Sequence, residues 1–292
     1  MNILAFGELL FDCYPAQKKI GGAPFNFAAH LSQLGAKSYL LSAVGKDVEG
    51  QEAKKIAESF GVNTSFLQVC ENFPTGICTV SYQDSEPRYD LSRESAYEHI
   101  SYPQNLSDNT FDVLYFGTLA QRGTVSYHTL QALTESKRFS ILFFDMNLRQ
   151  HYYTEEVVTE GLKKAHMVKL NREEFSYVKR LSHLPETDTE TALRILCDRY
   201  EIQTLILTLD KDGACVLDKP RGFFCQPIQK GEFVSAVGAG DSFCACFLYH
   251  YLLGTPIKTA LEKASMLSAF VVSKEEAVPE YGDEFQKELQ FF

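Results

Sequence analysis

The segment Val234-Ser235-Ala236-Val237-Gly238-Ala239-Gly240-Asp241-Ser242-Phe243 holds the residues best suited to chemistry. Two glycines flank one alanine, a carboxylate follows at once, and an apolar run then begins with Phe243, Ala245, Phe247, Leu248 and Leu252. A loop that tightens at Gly238 and Gly240 turns bare N–H groups toward one point, and the helix behind it adds the positive end of its dipole. The product is an anion-binding hollow with Asp241 at its rim. An anion hole beside a base suits phosphoryl transfer to a hydroxyl, so a kinase for a small alcohol is the first hypothesis.

Other polar clusters could complete such a site. Gly21-Gly22-Ala23-Pro24-Phe25-Asn26 reads as a turn into a helix, with Pro24 at an early helical position. Paired glycines also let a ligand approach the backbone, and Asn26 offers a donor and an acceptor one turn in. Asp12, in the preceding strand-like run, either faces solvent by alternation or accepts bonds from sugar hydroxyls; the residues leave both open. Asn171-Arg172-Glu173-Glu174 forms a capping box, and Asn171 with Glu174 could also hold Mg²⁺ through water beside a nucleotide phosphate. Asp145-Met146-Asn147-Leu148-Arg149 leaves a strand at its carboxyl end, where open α/β sheets bind ligands. There Arg149 could steady a phosphate by a forked contact, or the loop could merely cap the next helix. No Walker loop, dinucleotide fingerprint, GxSxG elbow or HExxH motif is present. His30 is expected to be packed or solvated rather than catalytic.

The elements that must position these residues follow from apolar patterning. Strand-length runs at Ile3–Phe6, Ser38–Val44, Val113–Phe116, Ile141–Phe144, Met167–Leu170 and Leu205–Leu209 alternate with helix-period segments. The helical segments are Phe25–Leu34, Val48–Phe60, Val125–Ser136, Glu155–Ala165, Arg172–Leu181, Glu190–Tyr200, Asp241–Leu253 and Ile257–Val272. That alternation predicts an α/β fold with a doubly wound sheet sandwiched by helices. Asp210-Lys211-Asp212-Gly213 reads as a tight turn into an antiparallel hairpin. Strands at about 9–20 and 75–98 lack covering helices and predict a small β-sheet lid on a single domain spanning 1–292.

The formal net charge is −10 and the pI about 5.3, which argues against nucleic-acid and anionic-membrane partners. Eight cysteines without a CxxC pair are expected mostly to pack as small hydrophobes in a reducing, cytoplasmic setting.

Taken together, the residues resemble the ribokinase-like (PfkB) carbohydrate kinases, and the fructokinase branch in particular. The resemblance rests on Gly21-Gly22 with Asn26-Phe27-Ala28, then Leu34-Gly35-Ala36, Ser42-Ala43-Val44-Gly45-Lys46-Asp47 and Gly50. It continues in Gly117-Thr118-Leu119-Ala120-Gln121-Arg122, Phe144–Gln150 and Gly238–Phe243. It implies ATP and Mg²⁺, a small sugar as acceptor, and Asp241 as the base acting on a primary hydroxyl. Gly238, Ala239 and Gly240 would then form the anion hole, and Asp12, Gly21, Gly22, Asn26 and Arg149 would grip the sugar. Asn171, Thr208, Asp210, Gly213, Gly238 and Gly240 would meet the nucleotide, with Asn171 and Glu174 holding Mg²⁺ through water. Three departures stand out: Ser235-Ala236 replaces Asp-Thr, Asp210 replaces a frequent glycine, and Glu276-Ala277 replaces Gly-Ala. The first and third fall on segments that line the family's monovalent-cation site, so K⁺ activation is not expected. Phosphorylation of fructose to fructose 6-phosphate is the leading reading. A kinase for another furanose, a keto-sugar acid or a nucleoside, and a non-catalytic sugar-binding homologue, are the alternatives. Exposed lid strands are natural edges for a homodimer.

Overall fold

The computed structural model describes residues 1–83, 86–227 and 232–290, with the side chains of residues 82, 83, 86–88, 107 and 108 outside that description. The strands are β1 (Asn2–Phe6), β2 (Leu10–Cys13), β3 (Lys18–Gly21), β4 (Lys37–Gly45), β5 (Leu67–Cys70), β6 (Gly76–Gln83), β7 (Glu86–Leu91), β8 (Phe111–Phe116), β9 (Phe139–Asp145), β10 (Met167–Asn171), β11 (Thr204–Thr208), β12 (Ala214–Asp218) and β13 (Gly222–Gln226). The helices are α1 (Ala23–Gln33), α2 (Val48–Ser59), α3 (Thr124–Glu135), α4 (Glu155–Lys164), α5 (Arg172–Leu181), α6 (Thr189–Arg199), α7 (Ala239–Leu252), α8 (Ile257–Val272) and α9 (Asp283–Gln290).

Nine strands form one sheet in the order β13-β12-β11-β10-β9-β8-β1-β4-β5. It is parallel from β5 to β11 and antiparallel at the β12–β13 edge. Successive side chains on its strands face opposite sides, and both sides are covered. Ile3, Ala5, Val113 and Tyr115 pack with Phe27, Phe247 and Leu267 on one side. On the other, Leu4, Phe6, Leu114 and Phe116 pack with Leu130, Leu162 and Val178. Double burial is why these strands read as nearly unbroken apolar runs.

The chain order reverses beside β1, with β4 and β5 laid to one side and β8 to β11 to the other. Crossovers on either side of that point diverge and open a crevice at the strands' carboxyl ends. A second sheet, ordered β3-β2-β6-β7, stands apart from the main layer. It covers the expected small sheet, except for residues 84 and 85, which lie outside the described residues.

The doubly wound sheet and its helices agree with the sequence reading. Strands β5 and β13 and helix α9 were not anticipated, while β3 falls at the end of the expected lid segment. Of the cysteines, six are free thiols as expected. Cys215 and Cys225 are a correction: they face each other directly across β12 and β13 and are joined as a disulfide. No helix among the described residues is long and apolar enough to cross a membrane.

Candidate active site

Asp241 is the third residue of α7, whose N-terminus Gly238 caps in a left-handed conformation, φ 79°. A Cβ on Gly238 would stand 2.4 Å from the carbonyl oxygen of Ala277, so both conformation and space exclude a side chain there. The Asp241 carboxyl is buried, and its Oδ2 accepts a 2.8 Å hydrogen bond from Nδ2 of Asn26. Burial first, and then the charge of Asp145, push its pKa up to about 6, while the Asn26 amide, Arg149 and Lys169 pull it down.

Asn26 comes from the first turns of α1, which Gly22 caps at φ 108°. A Cβ on Gly22 would lie 2.4 Å from the carbonyl oxygen of Glu8. The glycine thus lets the start of α1 pass against the turn between β1 and β2. Glu8 is buried, and its Oε1 accepts from the Ala23 amide at 3.3 Å. Burial pushes its pKa up to about 7, against the pull of backbone amides and Arg149. Asp12, on β2, is half-buried; burial raises its pKa, and contacts with Cys78 and Arg149 oppose the rise.

Beneath the α7 loop lies a buried ion pair that the sequence reading missed. Lys169 Nζ on β10 stands 3.2 Å from Oδ1 of Asp145, the last residue of β9. Asp145 Oδ2 accepts a 2.9 Å bond from the Tyr115 hydroxyl. Burial works against the Lys169 charge, but Asp145 and Glu174 outweigh it and hold its pKa above the ordinary lysine value. A Cβ on Gly240 would come within 3.3 Å of Nζ, so a fixed ammonium lies directly beside the loop's glycines.

Glu174 completes the capping box of α5. Its Oε2 accepts from the Asn171 amide at 2.7 Å and its Oε1 from the Leu148 amide at 2.9 Å. The second bond ties α5 to the loop after β9. That loop does not cap α4, whose N-cap is Thr154. Two of its residues, Asn147 and Gln150, adopt left-handed conformations at φ 41° and 46°, and Gln150 donates to the Tyr89 carbonyl of β7.

After β11 the turn through Asp210 is gripped by Arg172, which donates to the Leu209 carbonyl at 2.8 Å and to Asp212 Oδ2 at 2.6 Å.

These groups surround one cavity of about 960 Å³. Glu8, Asp12, Gly22, Asn26 and Arg149 line one end; Asn171, Thr208, Asp210 and Gly213 line the other, with Gly238–Asp241 between them. Gly21 and Glu174 stand behind the wall. A Cβ on Gly21 would lie 2.7 Å from Asp12 Oδ2, so Gly21 makes room for the Asp12 carboxyl. Among the described residues, no three His, Cys, Asp or Glu side chains cluster to hold a metal.

Residues 3–280 match the profile described as pfkB family carbohydrate kinase. This chain is a pfkB-family carbohydrate kinase. It is similar to the 5-dehydro-2-deoxygluconokinase of Geobacillus thermodenitrificans, with 24% identity covering 88% of this chain and 79% of the relative. Among solved structures it resembles the ATP-bound fructokinase of Xylella fastidiosa, with a TM-score of 0.85, 20% identity and coverage of 99% and 97% of the two chains. It also resembles the aminoimidazole riboside kinase of Salmonella enterica complexed with aminoimidazole riboside and an ATP analog, with a TM-score of 0.82, 20% identity and 99% of each chain covered.

Family membership gives the departures a physical reading. Asp210 sits at φ 51°, a conformation glycine takes at no cost, in keeping with the glycine the resemblance leads one to expect there. Ser235 Oγ accepts from the Val237 amide at 3.2 Å, closing a local turn. Glu276 is exposed. His30 is packed, as expected: its ring contacts the Ala277 carbonyl and the Tyr281 hydroxyl, and burial lowers its pKa to about 4.

Proposed function

We propose that this kinase transfers the γ-phosphoryl group of ATP to the primary hydroxyl of a small sugar, with fructose to fructose 6-phosphate the favoured reaction. The Asn26–Asp241 hydrogen bond carries the proposal. It joins the wall expected to hold the sugar directly to the residue expected to accept its proton, so binding and transfer share one rigid contact.

In this reading Asp12, Gly22, Asn26 and Arg149 orient the sugar. Asp241, ionised near neutral pH, accepts the hydroxyl proton as the oxygen attacks phosphorus. The backbone N–H groups of Gly238 and Gly240 meet the transferring group, the Ala239 amide being donated to the Ala236 carbonyl at 3.3 Å, and Lys169 places a positive charge beneath it. Thr208, Asp210, Gly213 and Asn171 face the nucleotide. The donor set fits Mg²⁺ carried in on phosphates and water, because Mg²⁺ needs few direct protein ligands. Asn171 would meet it through water with Glu174 bracing Asn171 from behind, and the ion would neutralise phosphate charge. The small sheet acts as a lid over the sugar, excluding water, and its outer strands β3 and β7 are edges through which two copies could pair. A reaction drawing on cellular ATP belongs in the cytoplasm.

Fructose is favoured by the segments 117–122 and 144–150. The keto-sugar acid named in the Geobacillus relative is the competing substrate. Turnover dependent on ATP and Mg²⁺, measured across ketoses, ribosides and sugar acids, tests the proposal. Efficient transfer to fructose is expected. Sugar binding by calorimetry, with neither nucleotide binding nor transfer, would instead support a non-catalytic sugar-binding protein.

A further inference from the structure

We propose that Glu8 makes this site selective for uncharged polyhydroxy sugars over sugar acids, an inference that rests on the kinase reading above. The cavity is lined by three carboxyl groups at the proposed sugar end, Glu8, Asp12 and Asp241, and by two cationic side chains, Arg149 and Lys169, the second of them paired with Asp145. Ionised carboxylates only accept hydrogen bonds. Asn26 adds a further acceptor: one Nδ2 hydrogen goes to Asp241, and its buried Oδ1 has no hydrogen-bond partner among the described residues. A wall so rich in acceptors matches a ligand rich in O–H donors. A carboxylate group offers no donor and brings a fourth negative charge beside Glu8, Asp12 and Asp241.

Glu8 is the member of this set whose charge has no structural duty. Its carboxyl accepts from its own backbone amide and, at 3.3 Å, from the Ala23 amide at the start of α1. A neutral glutamine oxygen would accept these bonds equally well. Keeping a carboxyl at a position only 4% exposed costs solvation energy. That cost is offset when sugar hydroxyls donate to it. Arg149 and Asp241 are the charged neighbours that act on it, and burial lifts its pKa to about 7, so it is largely ionised at pH 8.

The test uses the full chain at pH 8. Calorimetry without nucleotide measures binding of fructose and of gluconate, and the ATP-dependent assay gives kcat/KM for each. Wild-type protein is expected to prefer fructose by about 100-fold or more, and Glu8→Gln to narrow that ratio by about tenfold. Glu8→Asp, which keeps the charge, is expected to retain the preference. A purely structural fault would weaken both ligands alike and leave the ratio unchanged. Comparable binding of gluconate and fructose by wild-type protein, or an unchanged ratio in folded Glu8→Gln, overturns the inference. Should Glu8→Gln fail to fold, the wild-type binding ratio still decides. Absent transfer to either sugar would count against the kinase reading, whereas the wild-type binding ratio tests the acidic wall and its change in Glu8→Gln tests Glu8.

Discussion

The two ends of the cavity are built differently. At the sugar end, Glu8, Asn26 and Asp241 are buried, and a direct bond links α1 to α7. At the end proposed for the nucleotide, Asp210 is exposed, and the turn after β11 is held by surface contacts of Asp210 and Asp212 with Arg172. Buried polar groups must be mutually satisfied or they destabilise the fold, so the sugar end tolerates little change. Exposed groups remain solvated, and surface ion pairs contribute at most about 1 kcal/mol. The contrast sets Asn26 and Asp241, buried and bonded to each other, against Asp210 and Glu276, exposed at positions where the sequence departs from the resemblance it otherwise follows.

The contrast is most sharply broken at Gly238. A Gly238→Ala substitution forces a side chain into a left-handed position against the Ala277 backbone, displacing the loop amides. The expected result is about a 100-fold loss of kcat and roughly 1–3 kcal/mol of stability, read by kinetics and thermal unfolding. Near-normal kinetics would mean that the loop is not the preorganised element proposed here.

A smaller effect comes from pH. Asp241 must be ionised to accept a proton, and burial raises its pKa to about 6. Activity should therefore hold above pH 6 and fall about tenfold per unit below it. A rate profile flat down to pH 5 would show that no buried carboxylate of raised pKa controls the reaction.

At the other end, Asp210→Gly relieves a left-handed aspartate at φ 51°. It is expected to stabilise the protein by about 0.5–1 kcal/mol, with the KM for sugar unchanged. A marked rise in sugar KM would show that the two ends are not separable.

Much of this architecture was legible in the sequence. Helix α5 was bounded correctly because Asn171 and Glu174 spell out its cap, and α8 because its apolar period is unbroken. The glycine clusters were legible because backbone geometry demands them locally. Strand β5 was missed because Leu-Gln-Val-Cys is too short a run to mark a strand and becomes one only by pairing with β4. Lys169, Asp145 and Glu8 were missed because their roles arise from elements far apart in the chain. A signal was present: a lysine within Met-Val-Lys-Leu-Asn, in a strand otherwise apolar enough for double burial, requires a buried counter-charge.

The central claim is that Asp241 is the base at the junction of sugar and phosphate. Measuring kcat at saturating fructose and ATP for Asp241→Asn, with fructose affinity determined alongside, tests it most directly. A fall of about 1,000-fold in kcat, with fructose affinity changed only a few-fold, is the predicted result. Turnover within threefold of the wild-type rate would contradict it.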